Sequence, residues 1–204
     1  MSTKNPGNIF IISAASGTGK TTLVSCLLST HADVRVSISH TTRAPREGER
    51  HGEHYYFVGT AEFEEMADAG GFLEHANVFG NYYGTSLTGL KALQNEGFDV
   101  ILEIDVQGAQ QVRRALPEAV GIFILPPSFA ELAERLRGRG TDAPEVVEKR
   151  LRQARGEIEQ SLDYIVVNRD LAEAEAQLGA IIRAHRQTLA RQQNFIEHLL
   201  SENF

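Results

Sequence analysis

The stretch that most constrains the fold of this 204-residue chain lies near its start and is IFIISAASGTGKTT, residues 9–22. Its four apolar residues, Ile9 to Ile12, predict a short buried strand, and the apolar residues that follow Lys20 recur on one side of a helix. Between them, Gly17 and Gly19 allow a tight turn whose backbone N–H groups converge on a phosphate. The segment therefore predicts a strand, a phosphate-binding loop and a helix.

The loop departs from the pattern G-x-x-x-x-G-K-[ST] at one position, where Ala14 replaces the first glycine. In this pattern the lysine, here Lys20, reaches the β- and γ-phosphates of a nucleoside triphosphate, and the hydroxyl of Thr21 binds Mg²⁺. An accidental glycine turn is the alternative, but the residues nearest the phosphates are intact. We expect ATP to contact nine consecutive residues: Ala14, Ala15, Ser16, Gly17, Thr18, Gly19, Lys20, Thr21 and Thr22.

Composition limits the classes of partner. The net charge of −7 disfavours non-specific binding to nucleic acid or to an anionic membrane. The apolar stretches are shorter than the roughly 20 residues that span a bilayer, and the N-terminus lacks a signal-peptide core. We therefore expect a soluble, cytoplasmic protein. Only four of the 20 basic residues are lysines, and the planar arginine fork suits a small, highly charged phosphate ligand.

Short apolar strands alternate with helices along the rest of the chain. Strands are predicted over 34–38, 55–58, 100–105, 121–125 and 165–168, and helices over about 61–69, 88–96, 108–115, 128–138, 144–160 and 171–200. Thr60 is expected to cap the first of these helices. This alternation predicts a mainly parallel, doubly wound sheet with helices on both faces. The polar stretch after Ser39 and the loop predicted over 72–86 indicate an inserted subdomain from about 39 to 87.

Two carboxylates, Glu103 and Asp105, follow the apolar part of the strand predicted over 100–105. Ligands of parallel sheets bind at the carboxyl ends of the strands, where the phosphate-binding loop also lies. Residues two apart on a strand project to the same side, so either carboxylate could face Mg²⁺ or a second substrate. A structural acidic pair held by arginines is the alternative.

Motifs along the whole chain resemble guanylate kinase, in particular the bacterial type. They are Ser39-x-x-x-Arg43-Ala44-Pro45-Arg46, Gly52–Tyr55, Phe72–Glu74, Gly80–Thr85, Leu102–Gly108, Ile124–Ser128, Arg135–Gly140, Lys149–Leu151 and Val166–Asn168. The resemblance extends from Asn8 to about Arg186. It implies an enzyme that transfers the γ-phosphate of ATP to GMP, and to dGMP as well, for the supply of GTP.

The resemblance also implies the three-layer α/β fold of the P-loop NTPases, with a mainly parallel central sheet. The guanylate kinase-like domain, residues 8–186, would have a core of about 1–38, 88–128 and 160–204. An insertion that binds the nucleoside monophosphate would occupy about 39–87, and a helical lid about 129–159. The C-terminal helix could pack on its own core or on a second copy, so a homo-oligomer stays open.

Carried over to this sequence, the resemblance implies that Arg43, Arg46, Tyr55 and Tyr83 bind the GMP phosphate. Two arginines three residues apart can converge on one dianion, and tyrosine hydroxyls can complete its hydrogen bonds. Glu74 would read guanine, because a carboxylate accepts hydrogen bonds from the adjacent N1–H and N2–H donors. The remaining expected contacts are Ser39 and Thr85 with the guanine oxygen, and Glu103 and Asp105 at the acceptor side.

The implied reaction needs positively charged groups around the transferring phosphoryl group. These would be Lys20, Arg43 and three arginines of the lid and its helices: Arg135, Arg139 and Arg150. Asn168 would contact the adenine side of ATP. Mg²⁺ would accompany ATP, held by Thr21 and, through water, by Asp105.

Two other functions compete with this one. A non-catalytic module that resembles guanylate kinase and binds phosphorylated peptides would have the same fold, but such modules typically lose the phosphate-loop or acceptor residues. Lys20, Thr21, Arg43 and Arg46 are all present here. A kinase for AMP or a pyrimidine monophosphate is the second alternative, and Glu74 with the segment YYGT argues against it.

Overall fold

The computed structural model describes residues 6–78, 80–138, 144–159 and 162–202. Strands and helices alternate along these ranges. In chain order they are β1 (Ile9–Ala14), α1 (Lys20–Thr30), β2 (Val34–Val36), β3 (His40–Thr41), β4 (Tyr56–Phe57), α2 (Thr60–Asp68), β5 (Phe72–Val78), β6 (Asn81–Ser86), α3 (Leu87–Asn95), β7 (Asp99–Glu103), α4 (Val106–Ala115), β8 (Val120–Leu125), α5 (Phe129–Gly138), α6 (Pro144–Ile158), β9 (Tyr164–Val167), α7 (Leu171–Arg186) and α8 (Leu189–Ser201).

The central sheet has five parallel strands in the order β2-β7-β1-β8-β9. β1 lies in the middle, paired with β7 on one side and β8 on the other. Because β1 is covered on both faces, it is apolar at nearly every position instead of alternating with polar residues. The predicted parallel sheet is confirmed, and the phosphate-binding loop leaves it from the carboxyl end of its middle strand.

Helices cover both faces of this sheet. Phe10 and Ile12 of β1 belong to one apolar cluster with Leu23 of α1 and Leu178 of α7. Ile9 and Ile11 belong to another, with residues of α3 and α4 such as Leu90 and Val112. Successive side chains of a strand point to opposite faces, so one strand contributes to both clusters. This arrangement confirms the three-layer α/β fold of the P-loop NTPases.

A second sheet, in the order β4-β3-β6-β5, lies within residues 40–86. The loop predicted over 72–86 was wrong, because β5 and β6 form an antiparallel pair there. Aromatic stacking explains why this mixed sequence is ordered: the Phe63 ring of α2 lies 4.5 Å from that of Phe72 and 5.3 Å from that of Tyr82, centroid to centroid. The division of the chain into core, insertion and lid stays a prediction.

Three local predictions were also wrong. The helix predicted over 171–200 is two helices, α7 and α8, which Gln187 and Thr188 separate. Asp105 lies beyond β7 and caps α4, since its Oδ1 accepts a hydrogen bond of 2.9 Å from the Gly108 N–H. Thr60 is the first residue of α2 and does not cap it. Across the described ranges, no helix is long and apolar enough to cross a membrane.

Candidate active site

The phosphate-binding loop joins β1 to α1 through two residues with left-handed backbone conformations, Gly17 (φ 96°) and Gly19 (φ 88°). Side chains disfavour this conformation, so glycine is needed at both positions. Gly19 is also the N-cap of α1, whose first turn carries no acidic side chain. The positive end of the α1 dipole and its free N–H groups are therefore available to an anion.

Lys20 lies between the loop and the end of β7. Its Nζ donates a hydrogen bond of 3.0 Å to the Ile104 carbonyl and lies 3.9 Å from Oε1 of Glu103. Burial lowers the pKa of Lys20, and the negative charges of Glu103 and Asp105 oppose this shift. The ammonium group is thus poorly hydrated, which strengthens its attraction for a phosphate that enters the loop.

The loop surrounds a cavity of about 360 Å³, which we call the phosphate cavity. All nine loop residues predicted to contact ATP line it, together with Tyr55, Val78, Glu103, Asp105, Arg150, Gln153 and Glu157. Arg150 connects α6 to the loop, because its Nη1 donates a hydrogen bond of 3.0 Å to Oγ of Ser16. Glu157 could not be predicted as a cavity residue, because it lies on α6 among other charged residues. Burial raises its pKa, with a further contribution from Asp105.

Arg135 and Asn168 hold the loop from another side. Arg135 donates hydrogen bonds to the carbonyls of Thr18 (3.1 Å) and Asn168 (3.0 Å), and Asn168 Nδ2 also donates to the Thr18 carbonyl (2.8 Å). Neither residue lines the phosphate cavity. Their direct contacts with the phosphoryl group and with adenine stay predictions. Arg139 lies outside the described residues.

A second cavity, of about 1120 Å³, opens between α1 and the second sheet, and we call it the acceptor cavity. It brings together the residues predicted for the GMP phosphate, with Ser39 beside them: Arg43, Arg46, Tyr55 and Tyr83. The Arg43 guanidinium lies 5.5 Å from the Tyr55 ring centroid, and the two tyrosine rings are 5.9 Å apart. Burial, with the charge of Glu103, raises the pKa of Tyr55, so its hydroxyl remains a hydrogen-bond donor.

Glu49, which was not predicted from the sequence, accepts hydrogen bonds from both Arg43 and Arg46. Nη2 of Arg43 donates to both of its carboxylate oxygens (2.8 and 2.9 Å), and the Arg46 N–H donates to Oε2 (2.7 Å). The hydrogen bond from Arg43 lowers the pKa of Glu49. In the sequence, Glu49 looks no different from Glu47 and Glu53, which flank it in the same polar stretch.

Glu74 and Thr85 form a buried pair across the β5–β6 hairpin, in which they are directly opposite. Thr85 is fully buried and Glu74 is 4% exposed. The Thr85 hydroxyl donates a hydrogen bond of 2.6 Å to Oε1 of Glu74. Burial raises the pKa of Glu74 to about 7, and the nearby Asp105 adds to the shift. Neither Glu74 nor Thr85 lines the two cavities above.

The phosphate cavity and the acceptor cavity share a wall made of four residues: Thr21, Tyr55, Glu103 and Arg150. Within this wall the Thr21 hydroxyl donates a hydrogen bond of 2.5 Å to Oε1 of Glu103. The described residues contain no cluster of three or more His, Cys, Asp or Glu side chains suited to a metal ion. Mg²⁺ needs fewer protein ligands, because it keeps several waters, and the oxygen donors of Thr21, Glu103 and Asp105 fit it.

A phosphate-binding loop at the carboxyl edge of a parallel sheet, with an arginine-lined cavity beside it, defines the class of P-loop nucleoside monophosphate kinases. Comparisons with known proteins identify the family within this class. The model of the guanylate kinase family matches residues 6–185. The chain therefore belongs to the guanylate kinase family, as its motifs indicated, and it is an enzyme of the transferase class.

Individual proteins similar to this chain are also guanylate kinases. The chain is 63% identical over 205 residues to a guanylate kinase of Neisseria meningitidis serogroup A, with both chains fully covered. It is 51% identical over 200 residues to that of Escherichia coli K12, covering 96% of this chain and 97% of the relative. The structure matches a crystal structure of guanylate kinase from Anaplasma phagocytophilum with a TM-score of 0.81 and 35% identity, covering 98% and 96% of the two chains.

Proposed function

We propose that this protein transfers the γ-phosphate of ATP to GMP, and to dGMP, giving ADP and the nucleoside diphosphate. The observation that carries the proposal is the wall shared by the phosphate cavity and the acceptor cavity. The phosphate groups of two nucleotides, one bound in each cavity, would meet at that wall. Phosphoryl transfer requires mainly that two nucleotides are held in line and that the charge on the moving group is neutralised.

On the donor side, the loop N–H groups and the α1 dipole would bind the β-phosphate, and Lys20 would extend toward the γ-phosphate. Arg150 is suited to follow the transferring group, since it lines both cavities. Arg135 supports the loop through the Thr18 carbonyl. Thr21 with Glu103 or Asp105 would hold Mg²⁺, which when bound with ATP neutralises the β- and γ-phosphate oxygens.

On the acceptor side, Arg43 and Arg46 would bind the GMP phosphate, with the hydroxyls of Tyr55 and Tyr83. Glu74 would select guanine by accepting hydrogen bonds from N1–H and N2–H, while Ser39 and Thr85 would contact the guanine oxygen. Adenine lacks the paired donors, and a buried carboxylate left without partners is costly, so discrimination of about 10⁴ is attainable.

The acceptor identity is tested by measuring ADP formation from ATP and Mg²⁺ with GMP, dGMP, AMP, CMP or UMP supplied in turn. We expect efficient turnover with GMP and dGMP only. Absence of ADP formation with every acceptor would contradict the proposed activity. A preference for AMP would leave the activity intact but contradict the role of Glu74.

The donor site is tested by Lys20→Ala, which we expect to lower kcat by about 10²- to 10³-fold because a preorganised charge on the γ-phosphate is lost. GMP binding, measured by calorimetry, should persist because Lys20 does not line the acceptor cavity. Lys91→Ala, at an exposed position of α3, is the matched control. Equal kcat values for the two variants would refute the role of Lys20.

A further inference from the structure

Gly108, in the first turn of α4, lies directly against the carboxylate of Glu74. A Cβ atom added to Gly108 would lie 2.6 Å from Oε2 and 3.1 Å from Cδ of Glu74, and 3.4 Å from Oδ1 of Asp105. The first two distances are shorter than normal van der Waals contact. Gly108 is not among the described glycines with positive φ, so the backbone conformation does not require glycine here. The close approach of the carboxylate is what requires it.

Glu74 has little freedom to move away from such a methyl group. Its side chain is 4% exposed, and its other carboxylate oxygen, Oε1, accepts the hydrogen bond from Thr85. Thr85 is itself fully buried on the neighbouring strand. A displaced carboxylate would therefore lose its hydrogen bond or enter space that β6 occupies.

The helix that carries Gly108 is also fixed in place. One turn further along α4, the Gln111 side chain bonds the backbone of His75, the residue after Glu74. It accepts from the His75 N–H (3.2 Å) and donates to the His75 carbonyl (2.9 Å). At the start of the helix, the Gly108 N–H donates to the capping Asp105. A shift of α4 that made room for a side chain would break these bonds.

We infer that Gly108 is a specificity-determining positioning residue: without a side chain, it lets the carboxylates of Glu74 and Asp105 lie together where guanine is read. This inference rests on the proposed function, in which Glu74 accepts hydrogen bonds from guanine. Gly108 itself contacts no substrate. It acts through the position of Glu74, so a change at Gly108 is expected to alter the recognition of the base and not the transfer step.

The protein offers a matched control in Gly89. Gly108 and Gly89 are each the third residue of their helix, and each donates its N–H to the capping side chain, Asp105 or Ser86. A Cβ at Gly89 would approach nothing closer than 3.9 Å. Gly108→Ala and Gly89→Ala therefore make the same chemical change at equivalent helix positions, and only the first meets a carboxylate.

The experiment measures kcat and KM for GMP, for IMP and for ATP in the wild type and in both variants. IMP is the probe of base reading, because its base keeps N1–H but lacks the 2-amino group. We expect Gly108→Ala to raise the KM for GMP by about 10- to 100-fold and to reduce the preference for GMP over IMP by a similar factor. The KM for ATP and the kcat at saturating GMP should stay near the wild-type values, and Gly89→Ala should match the wild type throughout.

A double-mutant cycle tests whether Gly108 acts through Glu74. In a Glu74→Ala background, Gly108→Ala should produce no further loss of preference between GMP and IMP, because the clashing carboxylate is absent. If Gly108→Ala alone fails to fold, the double variant Glu74→Ala/Gly108→Ala should fold and melt near the temperature of Glu74→Ala. A double variant that also fails to fold would overturn the inference.

The outcomes separate this inference from the proposed function. A wild type that phosphorylates no GMP would refute the proposed function. A wild type that prefers GMP, with Gly108→Ala indistinguishable from Gly89→Ala, would refute the role of Gly108 alone. Equal losses for GMP, IMP and ATP in Gly108→Ala would also refute it, because they would indicate general damage to the fold.

Discussion

The buried carboxyl of Glu74 predicts that the recognition of GMP depends on pH. Its pKa is raised to about 7, chiefly by burial, and the groups that face it are Thr85 on β6 and the capping Asp105 of α4. Only the ionised carboxylate accepts hydrogen bonds from both N1–H and N2–H of guanine. In the proposed contact, the form that would read guanine is therefore the form that burial disfavours. GMP binding should then release a proton from those molecules in which Glu74 is protonated.

The size of the effect follows from the titration. A carboxyl whose pKa is about 7 is roughly 90% ionised at pH 8 and 10% ionised at pH 6. The KM for GMP should then rise about tenfold between pH 8 and pH 6 from this group alone. At pH 7, binding should release about half a proton, which calorimetry in buffers of different ionisation enthalpy detects.

Glu74→Gln separates this titration from that of the GMP phosphate, whose second ionisation lies near pH 6 and is common to both proteins. The variant should bind GMP more weakly, because an amide presents only one acceptor oxygen, and its KM should follow the phosphate alone. The ratio of the two KM values should change about tenfold over the same pH range. Parallel pH profiles for the wild type and Glu74→Gln would refute the reasoning.

The same shift predicts a pH dependence of stability with a defined sign. The carboxyl has a higher pKa in the folded state than its ordinary 4.5, so the folded state binds more protons between pH 4.5 and 7. Protonation of Glu74 therefore contributes to the free energy of unfolding in full below pH 4.5, and this contribution is lost as the pH rises through 7. The difference of about 2.5 pKa units corresponds to about 3 kcal/mol, so Glu74→Gln should be more stable than the wild type at pH 8. Urea unfolding at pH 4.5 and pH 8 measures this, and a variant less stable at both values would contradict it.

Two further predictions concern Glu49 and Asp99, residues that the sequence analysis did not identify. Glu49→Gln should raise the KM for GMP by about tenfold at nearly constant kcat, because the neutral amide loses the charge that pairs with Arg43 and presents an NH₂ donor in place of one acceptor oxygen. Steady-state kinetics beside the exposed control Glu47→Gln checks this, and equal KM values would argue against Glu49. Asp99→Ala should destabilise the protein by about 3–5 kcal/mol in urea unfolding. It removes a buried acceptor of hydrogen bonds from Asn8 (2.7 and 2.8 Å) and Arg186 (2.6 Å), so a loss below about 1 kcal/mol would contradict a structural role.

The parallel core could be predicted because most of its strands are short apolar runs that alternate with helices along the chain. The hairpin of β5 and β6 could not, because its order depends on contacts with α2, such as Phe63 against Phe72, and not on local alternation. The break between α7 and α8 had only a weak signal: neither glycine nor proline lies there, and Thr188, a residue type common at helix N-caps, makes no capping hydrogen bond through its side chain. Local sequence pattern therefore identifies strands and helices with a clear apolar pattern of their own. It misses those whose order depends on contacts with residues distant in the sequence.

The same distinction holds within the candidate site. The glycines and Lys20 of the loop could be predicted because their roles follow from backbone geometry and charge, which adjacent residues supply. Other contacts of the site could not be predicted: Arg135 and Asn168 support the loop, and Glu49 supports Arg43. These residues are far apart in the sequence or unremarkable in it, and only the fold brings them into contact. Sequence pattern could therefore name groups suited to phosphate, but not the contacts that fix their positions.

Gly108 shows why these supporting positions matter for selectivity. Glu74 and Asp105 repel each other when both are ionised, and a folded protein would lower its free energy by separating them or by protonating one. Thr85 on one side and the tied helix α4 on the other prevent separation, and the pKa of Glu74 is raised, chiefly by burial and further by the charge of Asp105. In the proposed base contact, the two adjacent N–H donors of guanine would offset the cost of this buried charge, and adenine, which lacks them, would not. The site can thus discriminate between bases through a cost that is already present before the substrate arrives.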